Sequence, residues 1–356
     1  MASGVSIRHF PLPASPDDRD FRSTVTMIND RYTEVFGNND TFASFEEVWP
    51  QWQAHPETRR VPLIAELDGE PVGHAVLHLP TAQGPVTYTP VTYTSSAYVR
   101  PAYRRQRIGS ALLDECDRIA SENGRTVAQA SSMAAAPGPG GRQLVPATGT
   151  GAVDADEPAT RMLLARGYSL EQVEYCSSVD LKRDEIPDIA CPAVEYRVVG
   201  WVGRTPGHYI DDVAALWTLL ENDVPRGGME ATTTTWDRDH VRRWDERVNT
   251  EYTTGVVSAA EHVPSGKLVA LTTVGVINRS EALSSQNITG VHTDHRGHGL
   301  GLAIKAHNLR LCASVNPTTR VYTWNAAENT HMRDINRRLG CQVVAVSGEW
   351  ERRSRT

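Results

Sequence analysis

The sequence repeats itself, and a chain that does so is committed to building one fold twice. Val99-Arg-Pro-Ala-Tyr-Arg-Arg-Gln-Arg-Ile-Gly109 aligns without a gap on Val291-His-Thr-Asp-His-Arg-Gly-His-Gly-Leu-Gly301; Val99 to Val291 and Gly109 to Gly301 are both 192 positions. Each copy follows a strand-like stretch (Val91–Val99; Ser284–Val291) and opens an amphipathic helix (Gly109–Glu122; Gly301–Val315). Upstream, paired strand candidates flank a turn: Leu63–Leu67, Asp68-Gly69 and Val72–Leu79, then Gly255–His262, Ser265-Gly266 and Leu268–Ile277. Downstream comes a further strand (Thr126–Ala130; Arg320–Trp324) and a helix that stops at Gly167 or Gly340.

Both halves therefore read strand–helix–helix–strand–strand–strand–loop–helix–strand–helix–strand, an α/β fold on a mixed sheet. A Rossmann-type chain places its glycine loop after the first strand, whereas here it follows the fourth. From the loop arginine to the closing glycine the first copy spans 63 positions (Arg104 to Gly167) and the second 44 (Arg296 to Gly340). The surplus falls in Ala134–Asp154, rich in Pro and Gly, which reads as a surface loop. The polar, Pro-containing stretch 183–194 is the natural linker, giving domains 1–182 and 195–356. A length of 356 residues suits two domains.

Composition narrows the function classes. A net charge of -7 with interspersed signs lacks the basic face that nucleic-acid binding needs. Cys116, Cys176, Cys191, Cys312 and Cys341 form no C-x-x-C pair, so they read as buried apolar residues of a reducing compartment, not as a metal site. No run reaches membrane-spanning length and the first residues carry no apolar leader core, which makes the cytoplasm the expected location.

The chemistry points to Arg296-Gly297-His298-Gly299-Leu300-Gly301. The first amides of a helix lack partners and carry partial positive charge, and glycines let a ligand approach them. Such a loop suits phosphate oxygens, with Arg296 adding a full charge. Its bland alternative is a tight turn; no Gly-Lys-[Ser/Thr] follows, so it is not an ATP-type loop. Val-x-x-x-x-Arg-Gly-x-Gly-x-Gly, followed by Asn329-x-x-Met-x-x-x-Asn-x-x-Leu-Gly340, resembles the GNAT acetyltransferase superfamily, whose loop is Arg/Gln-x-x-Gly-x-Gly/Ala. The resemblance covers most of both halves and is strongest from Gln286 to Val344.

That resemblance implies two GNAT acyl-CoA N-acyltransferase domains in tandem, each a splayed sheet whose fourth and fifth strands part to admit pantetheine. It implies that Thr289, Gly290 and Val291 run along the arm of acetyl-CoA, with a backbone N–H near Val291 polarising the thioester carbonyl. Arg296 to Gly301 would hold the pyrophosphate and Asn329 would touch the arm; no metal is implied. In the first half Arg105 and Arg107 replace Gly297 and Gly299, and Asp156 takes the Asn329 position. The N-terminal domain is therefore expected to be a degenerate partner that buttresses a working C-terminal domain; the alternative is that it still binds coenzyme A through Arg104 and its helix N-terminus.

Many relatives place an acidic tyrosine seven residues after the helix asparagine; here Asn336 stands there, and Leu163 in the first half. Asn336 reads either as a hydrogen-bond donor to sulfur or as a packed polar residue. For a base the candidates are Asp223 and Glu230, in the loop after the first helix of the second domain, and Glu328; each reads equally as a solvated carboxylate. Ser285 and Asn287 on the fourth strand offer no base, and His292 and His298 read as facing solvent or phosphate. The expected activity is acetyl transfer from acetyl-CoA to a small amine by direct attack, in a monomer or homodimer. Alternatives are an amino-sugar conjugate as acceptor, as in the tandem relative mycothiol synthase, or an acyl-CoA sensor without catalysis.

Overall fold

A computed structural model describes residues 4–39, 41–81, 91–136, 140–182, 184–190, 193–230, 233–279 and 283–353. The chain forms two compact units. The first contains Met1–Glu174, Arg226–Thr232 and Ala345–Thr356; the second contains Tyr175–Pro225 and Thr233–Val344.

The first half of the chain runs β1 (Val5–His9), α1 (Arg19–Phe36), α2 (Phe45–Val48), β2 (Thr58–Leu67), β3 (Glu70–Pro80), β4 (Val91–Val99), α3 (Ile108–Glu122), β5 (Val127–Ala135), β6 (Gln143–Leu144), β7 (Val153–Asp154), α4 (Pro158–Ala165) and β8 (Ser169–Asp180). Local chemistry sets these limits. Asp18 caps α1 by accepting from the amides of Asp20 and Phe21, and Gly37 ends it in the left-handed conformation. Asp68 and Gly69 both take positive φ, the twist a two-residue hairpin between β2 and β3 requires.

Alternation along β2 sends Leu63 and Ile64 to opposite faces. Leu63, Ala75 and Leu77 pack with Ile108, Leu112 and Cys116 of α3, whereas Ile64 and Val76 pack with Phe21 and Val25 of α1 and with Trp52. The two helices therefore cover opposite faces of one sheet. The stretch read as a surface loop at Ala134–Asp154 holds the end of β5 and the short β6–β7 ladder.

The second half repeats the order: β9 (Tyr196–Val202), α5 (Ile210–Asp223), α6 (Arg238–Val248), β10 (Thr253–His262), β11 (Lys267–Ile277), β12 (Leu283–Val291), α7 (Leu300–Val315), β13 (Arg320–Ala326), α8 (Thr330–Arg338) and β14 (Gln342–Arg353). Trp217, Leu220 and Trp244 from α5 and α6 pack on Val257, Ala259 and Leu271. Leu302, Ala306 and Leu309 of α7 pack on Val256, Val274 and Val276 from the other side.

The division differs from the linear cut at 183–194 in where three segments go. β14, the last strand of the chain, completes the first unit: it runs antiparallel to β5 from Ala345↔Ala135 to Arg353↔Val127. Trp350 on β14 is fully buried and its Nε1 donates to Ser132 Oγ at 2.8 Å. Its repeat counterpart, β8, contributes Tyr175–Asp180 to the second unit next to β13, where Arg320 Nε donates to Asp180 at 3.2 Å. Segment 226–232 also lies in the first unit, where the carboxylate of Glu351 accepts from the Glu230 amide at 2.5 Å. Turn signals and periodicity are local, whereas the edge a strand joins is chosen by tertiary pairing.

Among the described residues Cys116, Cys176 and Cys312 are buried and free, Cys341 is half-buried and free, and Cys191 lies outside them. No helix among those residues is long and apolar enough to cross a membrane.

Candidate functional site

In each unit the fourth strand parts from the fifth. β12 pairs with β13 only from Leu283↔Arg320 to Ser285↔Tyr322, and β4 with β5 only from Val91↔Val127 to Thr94↔Ala130. Beyond those pairs the strands diverge, and the fourth strand carries an extra residue against the third. The register shifts between Thr272 and Val274 in one unit and between Val76 and Leu77 in the other. A bulge at such a point bends the strand and re-aims its backbone groups. The opening is where an extended ligand can lie against strand backbone.

At the end of β12 a single 3-10 turn, Thr293–His295, leads into the glycine loop. Gly299 is the N-cap of the 16-residue α7 at φ 70°, and Gly297 has φ 83°. A Cβ added at Gly297 would meet nothing within 4 Å, so the hollow is open to a ligand. Arg296, Gly297, His298 and Gly299 are all exposed, whereas Leu300 is buried beneath them. Gly301 lies against Ile335 of α8. Arg296 is oriented from behind: its Nε donates to the Val291 carbonyl at 3.2 Å and its guanidinium pairs with Asp223. The amide hollow, the helix N-terminus and this cation fit a diphosphate.

The first unit builds the same loop from different residues. Arg104 Nε donates to the Val99 carbonyl at 2.9 Å, and its guanidinium pairs with Glu34 of α1 at 2.8 Å. Arg105 and Arg107 take φ 65° each, where Gly297 and Gly299 stand in the second copy. A left-handed arginine costs about 1–2 kcal/mol relative to its usual backbone. Both side chains are exposed and, among the described residues, neither enters an ion pair, so the arginines leave the backbone course of the loop intact. The N-cap of α4 is Glu157, and Asp156 bonds Arg142 at 2.9 Å.

Along β12, Thr289 turns its hydroxyl to Thr272 at 2.7 Å and accepts from Gln286 at 2.9 Å. At Gly290 an added Cβ would lie 2.2 Å from the Leu220 side chain of α5, which would have to move aside. Val291 is half-buried, and Ser285 and Asn287 are exposed. Asn329 caps α8, its Oδ1 accepting from the Met332 amide at 3.1 Å. Flanking the loop, Tyr196 is surrounded by His262, His295 and His298, with its hydroxyl 3.0 Å from His295 Nδ1. Burial, then the neighbouring His262 and His292, hold the His295 pKa below its ordinary value. A cavity of about 630 Å³ beside this turn is lined by Asp212, Leu216, Leu219, Lys267, His292 and His295.

The proposed acid–base residues each have a local setting of their own. Asp223 is exposed and spent on Arg296. Glu230 belongs to the first unit, where its carboxylate pairs with Arg353 at 2.9 Å. Glu328 is half-buried beside the Asn329 cap. Asn336 is enclosed: its Oδ1 accepts from Lys305 Nζ at 2.7 Å, and its Nδ2 donates to Asn325 Oδ1 at 2.6 Å. Lys305 itself is fully buried, and burial pushes its pKa down to about 8 against the opposing influence of Cys341.

Sequence reasoning missed Lys305, whose only signal is a lysine inside the apolar run Leu300–Ala306. It also missed Glu349 on β14. Burial, followed by the charge of Glu174, pushes the Glu349 pKa up to about 8. Nothing local distinguishes it from its neighbour Glu351.

Residues 25–135 match the sequence profile of the acetyltransferase (GNAT) family. No curated protein matches the sequence. Among solved structures, a tandem GNAT protein from the clavulanic acid biosynthesis pathway superposes with a TM-score of 0.75 at 22% identity, covering 99% of each chain. A GCN5-related N-acetyltransferase from Sphaerobacter thermophilus gives 0.65 at 16% identity over 99% of this chain and 97% of its own. A GCN5-related glucosamine N-acetyltransferase region of a fungal multi-domain β-N-acetylglucosaminidase gives 0.60 at 15%, over 98% of this chain and 38% of that one. At these identities the likeness establishes the fold.

Proposed function

We propose that this chain, which carries a GNAT acetyltransferase-family domain within a tandem GNAT fold, transfers an acyl group from a coenzyme A thioester to the amine of a small molecule. The observation that supports this most directly is the coincidence, at one end of β12, of strand divergence, a bulge and an open glycine hollow capping α7. The residues present fit the thioester donor. Gly297, Gly299 and Arg296 would hold its diphosphate, and the backbone of Thr289–Val291 would guide its arm. Bound there, the donor supplies an activated acetyl group.

The protein's contribution is placement. Holding amine and carbonyl carbon together removes much of the entropic barrier. A backbone N–H beside the carbonyl oxygen stabilises the charge that develops as the amine nitrogen attacks directly. Carbon–sulfur cleavage then releases coenzyme A. The glucosamine-acetylating neighbour is the reason to include amino sugars among acceptors.

Titration calorimetry with acetyl-CoA tests the cofactor half of this reading. Arg296→Ala is expected to weaken binding about tenfold by loss of a charge-assisted contact, and Gly299→Arg to abolish binding at that loop. A protein with no affinity for any coenzyme A species would overturn the proposal. A second reading, a thioester-binding module without transfer, draws on Asp223 being paired and Asn336 being enclosed. Coenzyme A release with an amine panel separates the two.

A further inference from the structure

The first unit holds a carboxylate beside the opening between β4 and β5. The last β4–β5 pair is Thr94↔Ala130, so Ser131 is the first β5 residue past the divergence. Directly opposite Ser131, on β14, stands Glu349. Residues facing each other across an antiparallel pair share one side of the sheet, and Tyr93 of β4 reaches the same side, its hydroxyl 3.0 Å from Ser131 Oγ. Glu349 Oε1 accepts from Ser347 Oγ at 2.7 Å, and among the described residues no cation pairs with it. Two residues along, Glu351 is engaged by Arg353, Gln129 and the Glu230 amide.

We propose that Glu349 is the proton acceptor for a primary ammonium substrate at this opening, making the first unit a second acyl-transfer site. The proposal rests on the thioester reading above, since it takes the loop Arg104–Gly109, with its retained left-handed turns, as holding a donor at the N-terminus of α3. α3 and α1 cover opposite faces, so the donor would enter from one side and the amine from the other. Glu349 takes one proton from the ammonium. The freed nitrogen bonds to the carbonyl carbon, the carbon–sulfur bond breaks, and the second nitrogen proton goes to the departing thiolate. Glu349 then returns its proton to water.

The surrounding groups favour a cation. Glu174 faces Glu349 from β8, Tyr93 from β4, and Tyr32 and Arg31 approach from α1. Arg31 is committed to the Met133 carbonyl, Glu34 and Glu157, and Arg353 on the same strand as Glu349 to Glu351 and Glu230. Burial and then the like charge of Glu174 raise the Glu349 pKa to about 8, so the carboxylate that forms above that value is a stronger proton acceptor for an ammonium than an ordinary carboxylate.

The test follows coenzyme A release by the full chain from acetyl-CoA with benzylamine and with glucosamine, across pH. In a Gly299→Arg background, which silences the loop of the second unit, Glu349→Gln is expected to lower the remaining kcat about 100-fold or more, the usual loss for a missing general base, with the remaining acetyl-CoA affinity unchanged and Glu349→Asp partly restoring turnover. Glu174→Gln removes the like charge, so the acid limb of the pH profile moves to lower pH, which a structural role would not cause. In that Gly299→Arg background, a kcat unchanged by Glu349→Gln, or an acid limb unmoved by Glu174→Gln, overturns the assignment. Release abolished by Gly299→Arg and untouched by Glu349→Gln overturns it while leaving the proposed function standing. If the wild type releases no coenzyme A with either amine, transfer itself fails. Benzylamine calorimetry then decides: binding lost in Glu349→Gln supports an ammonium site, and no binding to the wild type ends it.

Discussion

Lys305 shows how a single residue sets a pH dependence. α7 is buried almost all round, so any polar side chain on it must find a partner inside, and Lys305 finds Asn336. Lowering a lysine from 10.5 to about 8 corresponds to about 3 kcal/mol of unfavourable charge burial. The unfolded chain binds the extra proton between those values, so this cost is absent above pH 10.5, grows as pH falls, and is fully present below about 8. Stability of the wild type minus that of Lys305→Met, from denaturant titrations, is expected to rise over that window; a flat difference contradicts it. Spacing alone located Asn336 correctly on its helix but left its direction open. Its surroundings depend on a lysine of another helix, which no periodicity within α8 could reveal.

At the level of elements, the loops were legible because their chemistry is local: alternating glycines, a basic residue and the apolar helix that follows. The conformation of the two arginines of the first copy was not, because arginine disfavours the left-handed backbone that the fold imposes there. The destination of β14 was equally hidden. Its alternating apolar residues suit any sheet face, and only pairing with Val127–Ala135 fixes where it goes. Trp350 anchors that pairing. Trp350→Ala is expected to cost about 3–5 kcal/mol, seen as a lowered melting temperature of the first unit by circular dichroism. Retention of the wild-type transition would mean that β14 is not integral to it.

For the molecule as a whole, the duplication and the element order were written in the sequence, whereas the division into units was not. A chain cut inside 184–190 would give a front fragment without residues 345–353, leaving β5 with an unpaired edge and the Trp350 site empty. That fragment is expected to be insoluble alone and to be recovered in soluble form when both fragments are expressed together. A front fragment that is soluble and gives a cooperative melt by itself would contradict the observed division.

Synthesis adds a constraint of its own. Ribosomes make proteins from the front, and domains ordinarily fold in that order as they emerge. Here the opening unit contains Ala345–Thr356, a stretch translated long after Glu174. Its sheet stays incomplete until residues 345–353 have emerged, so the portion made early settles only after the second unit has been made.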